Sequence, residues 1–506
     1  MNTCTKQLVT GGALLLLIII ASGPLAAAQS PATQLPKFAE LKDGWNTLTP
    51  GGETSCAVDP NYRFFVRRAV PDRLLVFFEG GGACTDGRSC DPSAMFAGEP
   101  AFKTTAHVAP PPPAGIFDLA HPDNPFAEYS MVFVSYCTGD VHLGERDTTY
   151  TNEDVRGKRQ FEIRHRGQIN AMAALQWIYA NFPAPVEVFV TGTSAGGYAT
   201  PFYGSVLARH YPRARVAALG DAAGALRGPG SGELARLEGI PMRGPWGLPE
   251  VLRRHSGWER FQGVLPGIVE LFVTAAGAAP ALGLFQVDHA HDRQQGLRYL
   301  ILMGNAKADV FAGLRANRQD ISAAVPRFRS FTAGGPDHGI MFTSRFFSYS
   351  TEGHRLRDWV AAIAAGTMVP NEECIECSRP GLRFTDFDVQ LLDRAIALLS
   401  APGAWLAQAT TQPCAQQRTG PYSLTCAIQV ANLQLTGQIA PGYGLPAAFL
   451  EVIFTVAARM GNPLMTAQEP AAMLRAYNNR PGATAPEMIA LLREVRARAL
   501  ASRRGK

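Results

Sequence analysis

Beyond residue 28 this 506-residue chain has no stretch long and apolar enough to span a bilayer. Charged residues are sparse, 18% of the chain, with a formal net charge of only +5. No basic stripe runs along any segment, so nucleic acid is not an expected partner. Internal repeats are absent, which excludes a solenoid or propeller. Cys374-x-x-Cys377 has no second CxxC and no paired histidines to complete a zinc set, so it is not read as a metal site. Neither a metal nor a cofactor is expected.

What is present begins at the N-terminus. Lys6, the apolar run Ala13–Ile20 and the small residues Ala26-Ala27-Ala28 form a basic region, a hydrophobic region and a cleavage pattern. Residues 1–28 therefore read as a signal peptide, leaving no stable membrane span after cleavage and a secreted or periplasmic protein; an uncleaved membrane anchor is the alternative, disfavoured because the apolar run is short for a bilayer span. Cys4 leaves with it. Eight cysteines remain, an even number that reads as disulfides in an exported chain. At the other end Arg493, Arg496, Arg498, Arg503, Arg504 and Lys506 face only Glu494; the rest of the mature chain is close to neutral. This basic tail is read as a solvated, frayed terminus.

Short apolar runs alternate with longer amphipathic ones. Leu74–Phe78, Met131–Tyr136, Val186–Thr191, Val216–Gly220, Tyr299–Met303 and Arg329–Thr332 read as strands. Helices are expected near 161–180, over Tyr198–His210, and after His338, where Leu356, Trp359, Val360 and Ile363 fall on one face. Continuous apolar strands between helices imply an α/β fold, a mostly parallel sheet covered on both faces. Pro110–Pro113 must be loop. Residues 222–295, rich in Gly, Pro and Ala, read as a cap-like insertion in a catalytic domain spanning 29–370. Residues 371–506 read as a small helical module, with helices marked by Val389, Leu392, Ile396 and Leu399 and by Phe449–Met460.

The chemistry centres on Gly192-Thr193-Ser194-Ala195-Gly196. A G-x-S-x-G pattern is weak alone in a chain with 50 glycines, but here an apolar strand precedes it and a helix follows, the context a nucleophile elbow demands. A serine hydroxyl needs a histidine base and an acid to orient it, both downstream in this fold. His338, in the loop Gly334-Gly335-Pro336-Asp337-His338-Gly339, is the chosen base; His354 and His255 read as solvated or inside the insertion. Asp309, after the strand Tyr299–Met303, is the chosen acid, with Asp288 and Asp320 as alternatives. His289-x-His291, flanked by Asp288 and Asp292, reads as a polar loop face rather than a metal site. Oxyanion donors are expected from the Ala195 amide and from Gly80-Gly81-Gly82.

Several of these segments together resemble the pectin acetylesterase and Notum family over residues 50–366. They are Glu79-Gly80-Gly81-Gly82-Ala83-Cys84 with Cys90, Asn124-Pro125, Met131–Cys137 with Asp140, the Ser194 elbow, Leu219-Gly220-Asp221 and His338. The resemblance implies an α/β-hydrolase fold and a serine carboxylesterase. Carried over by position, its triad is Ser194, Asp309 and His338, with oxyanion amides from Gly81, Gly82 and Ala195. It also implies disulfides Cys84–Cys90 and Cys56–Cys137, which leaves Cys414–Cys426 and Cys374–Cys377. The expected partner is a small ester or an acylated glycan such as acetylated pectin. A lipase-like or acyl-protein deacylase acting on longer chains, or a silent glycan- or lipid-binding homologue, are the alternatives. No feature sets an oligomeric state.

Overall fold

In the apolar runs, successive side chains point to opposite sides, so a strand of continuous Leu, Val and Phe must be buried on both. The computed structural model bears this out. It describes residues 34–96, 99–154, 158–226, 246–262, 267–297, 309–379, 381–410, 414, 419–437, 446–461 and 470–504. Nine strands form one sheet: β1 (Gly44–Leu48), β2 (Phe64–Arg68), β3 (Val70–Phe78), β4 (Tyr129–Val134), β5 (Glu187–Thr193), β6 (Arg215–Asp221), β7 (Gly283–His289), β8 (Arg329–Ala333) and β9 (Glu372–Glu373). Their order is β1-β2-β4-β3-β5-β6-β7-β8-β9. Only β2 runs against its neighbours; every other pairing is parallel. This is an α/β-hydrolase sheet.

Leu74, Val76 and Phe78 of β3, Val188 and Val190 of β5 and Val216 and Ala218 of β6 face one hydrophobic cluster. Helices α1 (Gly167–Asn181), α2 (Ala195–His210) and α3 (Ile268–Ala278) close it with Leu175, Phe202, Leu207, Leu271 and Phe272. The intervening residues Leu75, Phe77, Phe189, Ala217 and Leu219 face a second cluster on the opposite side. Here α5 (Leu356–Ala364) contributes Leu356, Trp359, Val360 and Ile363. Helix α4 (Val310–Ala324) lies between β7 and β8 in sequence.

Three expectations are corrected. First, the segment read as a cap-like insertion over 222–295 contains a core strand, β7, and helix α3, which packs into the core against α2. Strand β7 was hidden because its buried positions include Gln286 and Asp288, both bonded to the buried Arg318 of α4. The strand expected at Tyr299–Met303 lies outside the described residues, as do the signal segment and residues 227–245. Second, the helix expected from 161 begins at Gly167; Arg159–His165 is instead a strand paired with Arg146–Asn152. Third, the C-terminal boundary moves. Glu372–Glu373 is the ninth strand and Gly381–Leu382 pairs with Tyr349–Thr351, so the helical part begins only at Asp386.

That part comprises α6 (Asp386–Ser400), α7 (Leu424–Thr436), α8 (Ala447–Arg459), α9 (Pro470–Asn479) and α10 (Ala485–Arg504). The tail expected to fray is α10: Leu491, Leu492, Val495 and Ala499 are fully buried, and Arg496 pairs with Asp393. Four disulfides join Cys56–Cys137, Cys84–Cys90, Cys374–Cys377 and Cys414–Cys426. No helix among the described residues is long and apolar enough to cross a membrane.

Glu451 of α8 is 5% exposed and pairs with Arg379 (2.8 Å) and Arg498 (2.7 Å), both nearly half exposed. The carboxylate carries the desolvation cost, so losing its partners hurts more than losing it. Replacing both arginines by alanine should cost on the order of 3 kcal/mol. Glu451→Gln, whose two partner cations water reaches and one of which, Arg498, keeps Glu494, should cost less. Thermal melting checks the ranking: the double variant must melt below Glu451→Gln.

Candidate active site

Ser194 sits between the end of β5 and the first residue of α2, with φ +58° and ψ −120°. For a residue with a side chain this is a strained conformation, and it lifts the hydroxyl out of the turn. The turn is held from below. Ser194 N–H donates to Asp221 O (2.8 Å), and Ser194 O accepts from Tyr198 N (2.9 Å). A Cβ on Gly196 would lie 1.9 Å from Phe78 O at the end of β3. Glycine is therefore obligatory there, and the elbow and β3 touch backbone to backbone.

Directly after β3 come Gly80, Gly81 and Gly82. A Cβ on Gly80 would meet Thr193 O at 2.6 Å, so this loop lies against the elbow. It is anchored through its carbonyls: Lys103 N–H donates to Gly81 O and the Tyr136 hydroxyl to Gly82 O, both at 2.8 Å. Glu79 anchors its start. The buried carboxylate accepts from Tyr136 N (2.9 Å), Lys103 Nζ (2.5 Å) and His107 Nε2 (2.5 Å). Burial works to raise its pKa, but the hydrogen bonds and charges of His107 and Lys103 outweigh it and hold the carboxyl below the usual range.

His338 follows β8. Its Nδ1 lies 2.8 Å and 3.0 Å from the two carboxylate oxygens of Asp292, which is completely buried. Asp292 also accepts from the N–H groups of Gln294 (2.9 Å) and Gln295 (3.0 Å) and from Gln295 Nε2 (3.1 Å). The acid expected at Asp309 is corrected by this geometry. Asp309 is the N-cap of α4, and its exposed side chain accepts from Ala312 N (3.0 Å). Asp288 lies deeper, against Arg318 (2.9 Å), and Asp320 is on the exposed side of α4. The sequence did carry a signal for Asp292, the Asp-His-x-His-Asp run, but its placement depended on recognising β7. His289 is fully buried rather than on a polar loop face, and burial lowers its pKa to about 4. His354 precedes α5 and pairs with Glu372 (2.7 Å).

Asp221, at the end of β6, ties the two halves together. Its carboxylate accepts from Thr193 Oγ1 (2.8 Å), beside Ser194, and from Ile340 N (2.9 Å) and Met341 N (3.1 Å), beyond His338. Burial pushes this carboxyl up to about 6 against those hydrogen bonds. Among the described residues the one grouping with metal-ligand spacing is Cys84, Cys90 and His165, and its two sulfurs form a disulfide.

Ser194, His338 and Gly80–Gly82 line a cavity of about 510 Å³. The rest of its wall is mostly aromatic and proline: Phe77, Phe102, Phe117, Phe133, Phe342, Pro100, Pro111 and Pro112, with Glu79, Lys103, His107, Thr193 and Gln294 as polar members. The proline-rich loop, read only as a break in regular structure, is thus part of this wall.

Residues 61–226 match the family model described as Pectinacetylesterase, the family the sequence resembles. The matched span contains Gly80–Gly82, Ser194 and Asp221. With it, the chain is a carboxylic ester hydrolase, and acetyl esters are the class that the name of the matched model points to. Residues 386–498 match a second model, a family of unknown function (DUF6197), whose span coincides with helices α6 to α10. No curated protein matches the chain.

The contact of Gly196 with Phe78 O generates a test. Gly196→Ala forces β3 and α2 apart and should lower the thermal midpoint by several degrees while abolishing labelling of Ser194 by a fluorophosphonate. Gly277→Ala, in α3 with open space around it, should be neutral or stabilising by about 0.5–1 kcal/mol. Equal behaviour of the two variants would contradict the steric argument.

Proposed function

We propose that the chain is an exported esterase that removes O-acyl groups through an acyl-enzyme on Ser194. One observation carries this reading: His338, with Asp292 bonded behind it, and the glycine loop line the same cavity as the strained serine. With Nδ1 donating to Asp292, His338 keeps Nε2 as the base that takes the Ser194 proton. Asp292 fixes the ring and balances the imidazolium that forms. The hydroxyl oxygen attacks the ester carbonyl. The oxyanion is received by the amides of Gly81, Gly82 and Ala195; as the first residue of α2, Ala195 has no intrahelical acceptor for its N–H. His338 then protonates the leaving alcohol, and water, activated the same way, releases the acid. The eight disulfide-bonded cysteines and the N-terminal signal pattern support an extracytoplasmic location.

Two readings of the acyl group follow from different observations. The family name favours acetyl, on a polysaccharide such as pectin. The cavity favours something longer: about 510 Å³ with an aromatic wall lies in the range that holds drug-sized ligands, far beyond an acetyl group. An ester series from acetyl to palmitoyl, run beside acetylated pectin, separates them. A deep apolar subsite should raise kcat/KM by up to about fourfold per added CH2 until the cavity is full, from ~0.8 kcal/mol per methylene; an acetyl-specific enzyme should lose activity from the first added carbon.

Ser194→Ala should leave folding intact and abolish ester hydrolysis; retention of more than a few per cent of activity would remove Ser194 from the role. Asp292→Asn should lower kcat by about 10³–10⁴, while Asp309→Asn, which keeps a side-chain oxygen to cap α4, should stay within about tenfold of wild type. Kinetics with the two reversed would return the acid to Asp309.

A further inference from the structure

Behind Asp292 the chain places a second carboxylate, and a single amide joins the two. Gln295 is 2% exposed and none of its atoms line the cavity. Its Nε2 donates to Asp288 Oδ1 (2.9 Å) and to Asp292 Oδ2 (3.1 Å), and its Oε1 accepts from the backbone N–H of Ala225 (2.7 Å). The Ala225 bond decides which way the amide points: reversed, its oxygen would face two carboxylates and its NH2 a backbone donor.

The far end of the bridge is itself immobilised. Asp288 accepts from Gly224 N (2.9 Å) and from Arg318 Nη2 (2.9 Å), and Arg318 is held by Gln286 Oε1 (3.2 Å) and by the Thr332 hydroxyl. All of these side chains are buried. Burial raises the Asp288 carboxyl and lowers Arg318, so the pair is costly to bury on its own. The two charges are held in one geometry by the donors and acceptors that meet them: Gly224 N–H, Gln295 Nε2 and Arg318 on Asp288, and Gln286 Oε1 and the Thr332 hydroxyl on Arg318.

We propose that Gln295 is a positioning residue for ester hydrolysis: anchored on the Asp288–Arg318 pair, it fixes the plane of the Asp292 carboxylate against His338. The proposal rests on the reading of Asp292 as the orienting acid. Without the Nε2 donor, Asp292 Oδ2 keeps only His338, and the plane of the carboxylate is held from Oδ1 alone, by the Gln294 and Gln295 N–H groups. The loss falls on the step in which His338 takes the serine proton, not on ester binding.

Gln295→Leu, similar in size but without donors, should lower kcat about tenfold or more and leave KM for a soluble ester unchanged. Gln295→Glu adds a readout that bulk loosening would not give. The groups around it are Asp288, Asp292, Arg318 and His338, with buried His289 close to Asp292 and His338. Ionised, the introduced carboxyl group would be a third carboxylate against two others. Protonated, it offers one O–H donor and an oxygen for Ala225 N–H. Activity of Gln295→Glu relative to wild type at the same pH should therefore rise several-fold as pH falls from 8 to 6, while the deficit of Gln295→Leu stays constant. Wild-type kcat in Gln295→Leu, or a pH-independent ratio for Gln295→Glu, with Asp292→Asn inactive, overturns the positioning role and leaves the triad standing. Full activity in Asp292→Asn removes the triad reading instead. If Gln295→Leu fails to fold, the pH ratio of Gln295→Glu decides alone.

Discussion

The carbonyl oxygen of Phe78 occupies the place where any side chain at residue 196 would have to go. That contact brings the end of β3 against the start of α2, and the site depends on it. It sets the glycine loop after β3 beside the serine turn after β5, so Gly80–Gly82 and Ser194 are neighbours by backbone contact alone. Parallel strands make this possible, because the loops after β3, β5, β6, β7 and β8 all leave the same edge of the sheet. Side chains then only need to hold those loops at the right spacing.

Buried carboxylates do the holding. Glu79 gathers Lys103 and His107 onto the start of the glycine loop; Asp221 joins the serine turn to the residues after His338; Asp292 is clasped by the loop it belongs to. Asp140 does the same at the N-terminus of α1, accepting from Gly167 N (2.7 Å), and burial pushes its carboxyl up to about 6. Taking a carboxylate out of water is expensive unless N–H and O–H donors surround it. Each of these groups therefore sits in one place, and the loops it joins inherit that precision. The cavity beside them is walled mostly by aromatic rings and prolines, so charges and donors at its edge act in a lower dielectric than in water.

The parts of the site visible in the sequence are those whose signal is local. Ser194 is announced by five consecutive residues between a strand and a helix, Gly80–Gly82 by a strand ending in three glycines, and His338 by a late strand and a glycine-bounded loop. The sheet was legible for the same reason, in β3, β5, β6 and β8. Asp292 was not, because its placement depends on β7. That strand buries Gln286 and Asp288, whose polarity is answered by Arg318, 30 residues later in the chain. A local pattern cannot register a partner that distant, so β7 reads in sequence as part of an irregular insertion, and the carboxylate at its end is not singled out. The helical start at Asp386 was missed similarly: two short strands at Glu372–Glu373 and Gly381–Leu382 carry no periodicity, only partners elsewhere.

The helices from Asp386 onward are not an appendage in the physical sense. The hydrophobic cluster under Phe77, Phe189 and Phe331 of the sheet continues through Trp359 and Val360 of α5 to Leu391, Leu392, Leu450, Ile453 and Leu492 without a break. The link to the site is shorter still. Gly335 N–H, three residues before His338, donates to Cys377 O (2.8 Å), and a Cβ on Gly334 would lie 2.1 Å from Arg379 O. Arg379 in turn reaches the buried Glu451 of α8. The Asp292 loop bonds the same stretch from the other side, with His291 N to Gly335 O and Arg293 N to Pro336 O, both at 3.1 Å. The disulfide loop Cys374–Cys377 is thus a spacer with the His338 loop on one side and the helical module on the other. The position of His338 is set through it by residues the active-site motif does not contain.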